Sequence, residues 1–281
     1  INITVEAITL KVEIKNHVCI ATIHGDHPAH VMTLNLYVDL LNFSQIVEKD
    51  DNVHVVIMRS NHENFFIAHF DVTVLIMQAK DSPNNPVKPA AQFHEMCERF
   101  RTMDKVTIAE VAGRVGGGGC EFSSSFDMRF GVDGKTIMNQ MEVPIGILPG
   151  GSGTVRWTNL TNRSRAMEVI LGGIDVDSKT ALEWGWLNRS FPSRKEMENY
   201  SEWLANRIAS FPPKAVANAK KSIIGATEMP IDKALENEQV LFAELMNDKP
   251  ALVEMEKFMK NGGQTEKGEL RVSELMFDSK L

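Results

Sequence analysis

Cysteine is scarce, with three in 281 residues, at positions 19, 97 and 120. An odd and scattered set excludes a disulfide framework and fits a reducing compartment, so a cytoplasmic protein is expected. No apolar run is long enough to span a bilayer, and no signal-peptide pattern is visible, so no membrane partner is expected. Lys/Arg-rich runs are missing, and the net charge of -7 with a pI of about 5.7 excludes a nucleic-acid backbone as the main partner. Histidine is missing after His94, and none of the eight pairs at a metal-binding spacing, so no metal site is expected. Asn-x-Ser/Thr triplets such as Asn159-Leu160-Thr161 read as chance without a secretory signal. No solenoid repeat or low-complexity tract is found.

The chain is 43% hydrophobic, enough for one large domain or a domain with an appendage. Residues 7–24 alternate and are rich in β-branched types, with a turn near Lys15-Asn16, which predicts a hairpin. Apolar spacing predicts a helix over 33–49, and Val53 to Met58 a buried parallel strand. Phe65 to Ala68 reads as a strand end, followed by a short helix from Asp71. Proline and asparagine across 81–89 predict a mobile loop of the kind that serves as a lid. A helix from Ala90 to Thr102, a strand from Val106 to Ala112, a glycine run and a helix opening near Cys120 come next. Thr136 to Met138 reads as a strand, and 163–171 and 178–184 as helices. The strand–strand–helix order implies a layered α/β core over 1–193. Residues 194–281 show only helical patterns (194–210, 213–225, 232–247, 250–260), a natural oligomerisation element.

The most informative segment is Gly116-Gly117-Gly118-Gly119-Cys120-Glu121, answered by Glu142 in a second stretch flanked by glycine and proline. Four glycines bare the backbone N–H groups to a ligand. Bare donors beside two carboxylates are the parts needed to stabilise an enolate and move protons around it. A plain strand-to-helix turn rarely needs four glycines, and a first-turn glutamate by itself would only favour the helix dipole. Other readings fail on single positions. A P-loop ending in Gly134-Lys135-Thr136 has Arg129 where its first glycine belongs, a dinucleotide fingerprint near Gly150 meets Arg156, and a nucleophile elbow over Gly150 to Thr154 ends in threonine.

Val106 to Phe122 resembles the signature of the crotonase (enoyl-CoA hydratase/isomerase) superfamily. Gln140 to Arg156 is similar to that family's second block, Phe66 to Asp71 to its Phe-x-Ala-Gly-x-Asp block, and Leu171-Gly172-Gly173 with Ala181 to Gly185 to the region that follows. The resemblance is collinear over about residues 8–195, with a weaker match in the tail. It implies a ββα-spiral core, a C-terminal helical trimerisation region with trimers that stack in pairs, and an acyl-CoA thioester as substrate, with no other cofactor. By position it puts the oxyanion hole at the amides of Ala68 and Gly118, and it makes Glu121 and Glu142 the pair that handles water. Glu142 supplies the α-carbon proton and Glu121 activates the water. Gly117, Gly119, Phe66, Phe93 and Met96 are expected along the substrate. The chain departs from the family at His69, which replaces a glycine beside the hole and is a further catalytic candidate, and at His30-Val31-Met32-Thr33. It departs again in the tail, where Lys257 and Lys260 stand in for the basic group at the CoA nucleotide. Hydration of an α,β-unsaturated acyl-CoA is the leading expectation. The alternatives are isomerisation, decarboxylation, thioester or β-diketone hydrolysis, and a non-catalytic family member.

Overall fold

The structure is a computed structural model that describes residues 7–81 and 87–275. Strands β1 (Leu10–Lys15) and β2 (Val18–Ile23) pair antiparallel in full register. Asn16 and His17 join them with φ of 50° and 63°, the double left-handed turn whose twist matches two antiparallel strands. Helix α1 (Leu34–Glu48) follows, started by the Thr33 hydroxyl, which accepts the Leu36 N–H. Strands β3 (Val55–Ser60) and β4 (Phe65–Ile67) lead to helices α2 (Val72–Asp81) and α3 (Val87–Thr102). Helix α3 therefore opens three residues earlier than the periodicity predicts and takes in Pro89. Proline is tolerated in a first turn, where its missing N–H would have had no partner. The rest of the expected lid, 82–86, lies outside the described residues.

The pattern of two strands and then a helix repeats. Strands β5 (Val106–Val111) and β6 (Arg114–Gly116) precede helix α4 (Gly117–Ser123). Strands β7 (Met128–Val132) and β8 (Ile137–Asn139) precede helices α5 (Gly153–Leu160) and α6 (Arg163–Gly172). Strand β9 (Val176–Asp177), helix α7 (Ser178–Glu183) and strand β10 (Arg189–Phe191) complete this part. Alternate strands build two sheets. The larger has the order β1-β2-β3-β5-β7-β10 and the smaller β4-β6-β8-β9. All pairings from β2 onward in the large sheet are parallel, as are β4–β6 and β6–β8. Strand β7 carries no clear strand signal because Arg129 interrupts it. In the fold that guanidinium is buried and donates to the carbonyls of Trp186 and Phe126 at 2.7 and 2.6 Å.

The main core lies between the sheets and under α1, α3 and α5, with Phe43, Phe66, Phe100, Phe122, Trp157 and Trp186 closed off from solvent. A second apolar cluster fills the other face of the large sheet. There Val55, Ile57, Ile108 and Phe130 meet Met197, Ala205 and Ala209 of helix α8 (Arg194–Ala209). Helix α8 thus closes the core, although it belongs to the helical tail by sequence. Helices α9 (Pro213–Glu228), α10 (Ile231–Met246) and α11 (Lys249–Lys260) extend beyond it. Among the described residues no helix is long and apolar enough to cross a membrane.

Two glycines fit α4 to the small sheet. The helix opens at Gly117, not at Cys120, so the glycine run forms its first turn. Gly117 has φ of +44°, a conformation L side chains rarely adopt. At Gly119 a Cβ would collide with the carbonyl oxygen of Ile67 and lie 2.7 Å from its Cβ, so only hydrogen lets the helix pack on β4. We expect Gly119→Ala to destabilise the fold by at least ~2 kcal/mol, the range typical of overpacking, measured as a lower denaturant midpoint; an unchanged midpoint would show that β4 yields without cost.

Candidate active site

The parallel register of the small sheet gathers the site. Gly116 of β6 pairs with Asn139 of β8, and Val115 with Ile67 of β4. The three segments that leave these strands at the same end are Ala68–Phe70, Gly117–Glu121 and Gln140–Glu142, and they come out side by side. Glu121 is 4% exposed and Glu142 7%. One Glu121 oxygen, Oε1, accepts the backbone N–H groups of Gly151 and Gly153, both at 2.8 Å. Both carboxyls are pushed up to about 7. Burial is the main cause in each, and the charge of Glu142 adds to the rise at Glu121 while the Gly153 and Gly151 N–H groups oppose it. The Gln140 amide, oriented to satisfy both groups, donates to the two Glu142 oxygens at 2.9 and 3.2 Å.

The amides beside this pair are of two kinds. Ala68 does not offer a free donor, because its N–H donates to the His30 carbonyl at 3.0 Å. The Phe70 N–H, two residues on, has no acceptor among the described residues. It lies 3.5 Å from the point a Gly118 Cβ would occupy, with the Phe70 Cβ at 3.0 Å. Gly118 is in the first turn of α4, where N–H groups lack intrahelical partners. The two open amides that lie next to one another are therefore those of Phe70 and Gly118. The residue type at position 70 carries no signal of this, since the donor is main chain.

The other expected residues fall into three groups. A Cβ on Gly117 would stand 3.0 Å from Glu142 Oε1 and 3.3 Å from the His69 Cβ, so His69 and Glu142 flank Gly117. The His69 ring is folded back, with Nδ1 2.8 Å from the Phe70 carbonyl. Phe93 reaches the site, its ring edge pressing on Gly151 beside Glu121. Phe66 and Met96 are wholly buried members of the main apolar cluster. Lys257 and Lys260 are exposed on α11. Lys257 pairs with Glu254 at 3.5 Å and borders a cleft with His17, His54 and Pro213, to which none of the carboxylate-site residues contributes. Among the described residues no group of three or more His, Cys, Asp or Glu is arranged to hold a metal ion. Gly151, Gly153 and Gln140 were not singled out by sequence as ligands of the glutamates. Their signal is only the glycine-rich turn and the head of the second family block.

Surrounding contacts hold these groups in place. Arg156 is buried and joins α5 to α3 through Glu98 at 2.5 Å. His94 Nε2 lies 2.7 Å from the Gly150 carbonyl, fastening the turn that presents Gly151 and Gly153. Beneath α4, the Trp157 indole N–H donates to Cys120 Sγ at 3.4 Å, and that of Trp186 to Ser124 Oγ at 2.9 Å.

A family profile described as Enoyl-CoA hydratase/isomerase matches residues 13–263. A short-chain-enoyl-CoA hydratase of Clostridium acetobutylicum is 31% identical over 199 residues, covering 70% of this chain and 74% of the relative. An ethylmalonyl-CoA decarboxylase of Mus musculus is 28% identical over 180 residues, covering 63% of this chain and 55% of that longer protein. Among solved structures, an enoyl-CoA hydratase of Geobacillus kaustophilus superposes with a TM-score of 0.82 at 26% identity, covering 90% of this chain and 94% of the other. Pseudomonas aeruginosa DspI superposes with a TM-score of 0.83 at 26% identity, covering 90% and 95%. The chain belongs to the enoyl-CoA hydratase/isomerase family, and its two-sheet spiral is the crotonase fold.

The raised carboxyls make stability depend on pH. Glu142 titrates near 7 in the fold, against its ordinary value of 4.5. Below 4.5 it is protonated folded and unfolded alike, whereas above 7 the fold must hold a buried charge, so stability is lost as pH rises between the two. We expect Glu142→Gln to gain melting temperature relative to the natural protein as pH goes from 5 to 8, with a difference of up to about 3 kcal/mol; a difference that stays flat with pH would show that Glu142 ionises freely.

Proposed function

We propose that the chain is an enoyl-CoA hydratase-like lyase that adds water across the double bond of an α,β-unsaturated acyl-CoA thioester. The observation that carries this reading is a pair of buried carboxyls beside two amides, unpartnered among the described residues, on a loop and in the first turn of α4. The Phe70 and Gly118 N–H groups would bind the thioester oxygen and hold the negative charge it gains as the enolate forms. Removal of one such donor typically costs ~10²–10³ in rate. Two N–H bonds favour the charged form of Glu121, and Glu142 receives none from another residue's backbone. Near neutral pH the pair is given one proton between its two carboxyls, and the hydration step requires that proton on Glu142. Glu121 takes a proton from water as the oxygen attacks the β-carbon, electrons shift through the α-carbon onto the thioester oxygen, and Glu142 gives its proton to the α-carbon. Transfer of one proton between the two carboxyls restores the starting state. His69 is assigned the shaping of the space beside Gly117, and Phe93 the lining next to Glu121. This chemistry uses acyl-CoA as substrate and calls for no further cofactor.

A second reading, decarboxylation of an alkylmalonyl thioester, rests on the likeness to the mouse ethylmalonyl-CoA decarboxylase. The same two amides would hold an enolate formed by loss of carbon dioxide. Hydration is preferred because both carboxyls are present and are poised near neutrality. Purified protein is expected to bleach the ultraviolet absorbance of crotonyl-CoA. Glu121→Gln and Glu142→Gln should each lose roughly 10²–10⁴ in kcat, the usual share of an acid–base group. Full turnover by either variant would remove that residue from the mechanism, and carbon dioxide released from an alkylmalonyl thioester without hydration would favour the second reading.

The same proposal includes a cytoplasmic homotrimer or a hexamer of paired trimers. Its support is the apolar stripe of Ile231, Leu235, Phe242 and Met246, all at least half exposed along α10. Residues at this spacing share one helix face, and large exposed apolar patches mark interfaces. Leu235→Glu with Phe242→Glu is expected to reduce the mass measured by light scattering to that of a smaller species; a monomer mass for the natural protein would refute the assembly.

A further inference from the structure

Tyr37 carries a polar atom that the proposed mechanism does not use. It sits in α1, and its ring packs against Phe70 and Phe93 with centroid separations of 6.0 and 6.2 Å, the two phenyl rings being 6.4 Å apart. These neighbours tie it to the reacting centre. Phe70 supplies an open amide next to Gly118, and Phe93 lies against Gly151 beside Glu121. The Tyr37 hydroxyl oxygen is shut off from solvent, yet no group among the described residues hydrogen-bonds to it. Buried tyrosine hydroxyls ordinarily find a partner, and an unpaired one is costly. An apolar ring that packs on Phe70 and Phe93 and ends in an idle, buried donor is the arrangement of a site completed by its ligand.

We propose that Tyr37 is a specificity-determining residue that donates a hydrogen bond to a neutral oxygen, a hydroxyl or a ketone, carried on the acyl chain beyond the β-carbon. The proposal rests on the thioester site described above and names the substrate class for it. Neutrality follows from the surroundings. The two rings packed on the Tyr37 ring are apolar, and burial together with Cys97 and Glu95 pushes the phenol up, so it stays a protonated donor. Glu95 is acidic and opposes a carboxylate at the same place. A site built to hydrogen-bond a substrate oxygen discriminates against the analogue that lacks it, because the protein group is then left unpaired.

The test compares hex-2-enoyl-CoA, its 5-hydroxy and 5-oxo derivatives, and the chain-matched terminal carboxylate, with the natural enzyme and with Tyr37→Phe. The natural enzyme is expected to favour the neutral oxygenated chains over the hydrocarbon by about tenfold in kcat/KM, and Tyr37→Phe to bring that ratio to about one. Turnover of hex-2-enoyl-CoA with no preference, a preference that survives in Tyr37→Phe, or a preference for the carboxylate would each overturn the inference while leaving the hydration reading intact. If no thioester is turned over, the hydration reading fails. Calorimetric binding of saturated 5-hydroxyhexanoyl-CoA against hexanoyl-CoA then decides the inference by the same ratio. A melting temperature measured without ligand supplies a separate check. Tyr37→Phe should melt at the same temperature or higher, since it deletes an unpartnered group, and a clear fall would show the hydroxyl to be bonded within the protein.

Discussion

The capture of the Glu121 carboxylate by the Gly151 and Gly153 amides is the contact around which the site is assembled. One oxygen of a side chain on α4 binds the turn that leads into α5, so two elements far apart in sequence are fixed relative to one another. The turn is held from its other side by His94, at the Gly150 carbonyl. Gln140, on the segment that leaves β8, then positions Glu142. Because β4, β6 and β8 run parallel in one small sheet, their outgoing segments start from a common edge. The positions of the donors, the carboxyls and Phe93 all depend on that edge and on the one carboxylate oxygen that accepts both amides.

The arrangement has an electrostatic cost. Two carboxyls kept from water resist ionisation, and their mutual repulsion adds to the effect. The large sheet contains a useful contrast. Glu110 is also buried and also pushed up to about 7, mainly by burial. It is answered by the Arg59 guanidinium at 2.8 Å and by the Ser201 hydroxyl, and Arg59 reaches on to Glu202 of α8 at 2.9 Å. That carboxylate is enclosed by its partners and ties α8 to the sheet. Glu142 has no cationic partner among the described residues and faces Gly117, where a side chain is missing. A displaced carboxyl therefore marks a reactive site only when space and open donors accompany it.

Much of this was legible in the chain. Alternation with a turn near Asn16 gives the first hairpin, and helical spacing gives α1 and the helices from α6 to α11 to within a few residues, whereas α5 was not read as a helix. The glycine run and the two glutamates stand out because few structural needs call for bare backbone next to acid. What escaped has physical reasons. Strand β7 is broken in pattern by Arg129, whose buried guanidinium is met by the carbonyls of Phe126 and of the distant Trp186. Ala68 looks like an oxyanion donor by alignment, but its N–H is consumed by His30, a bond that forms only when residues 30 and 68 meet. Phe66 and Phe93 both belong to the main core cluster, but only Phe93 also reaches the site, because the direction a side chain takes depends on what packs around it.

Sequence alone determined most of the order of elements, the helical tail and the two acids, and its resemblance gave the family. These follow from local spacing and from residue types whose chemistry does not depend on their neighbours. Tertiary structure decided which amides are free, that both glutamates are pushed up to about 7, and that Tyr37 ends in an unpaired hydroxyl beside Phe70 and Phe93. Each of those properties is a matter of desolvation and of hydrogen-bond partners brought from distant segments. Neither exists until the two sheets close around the core.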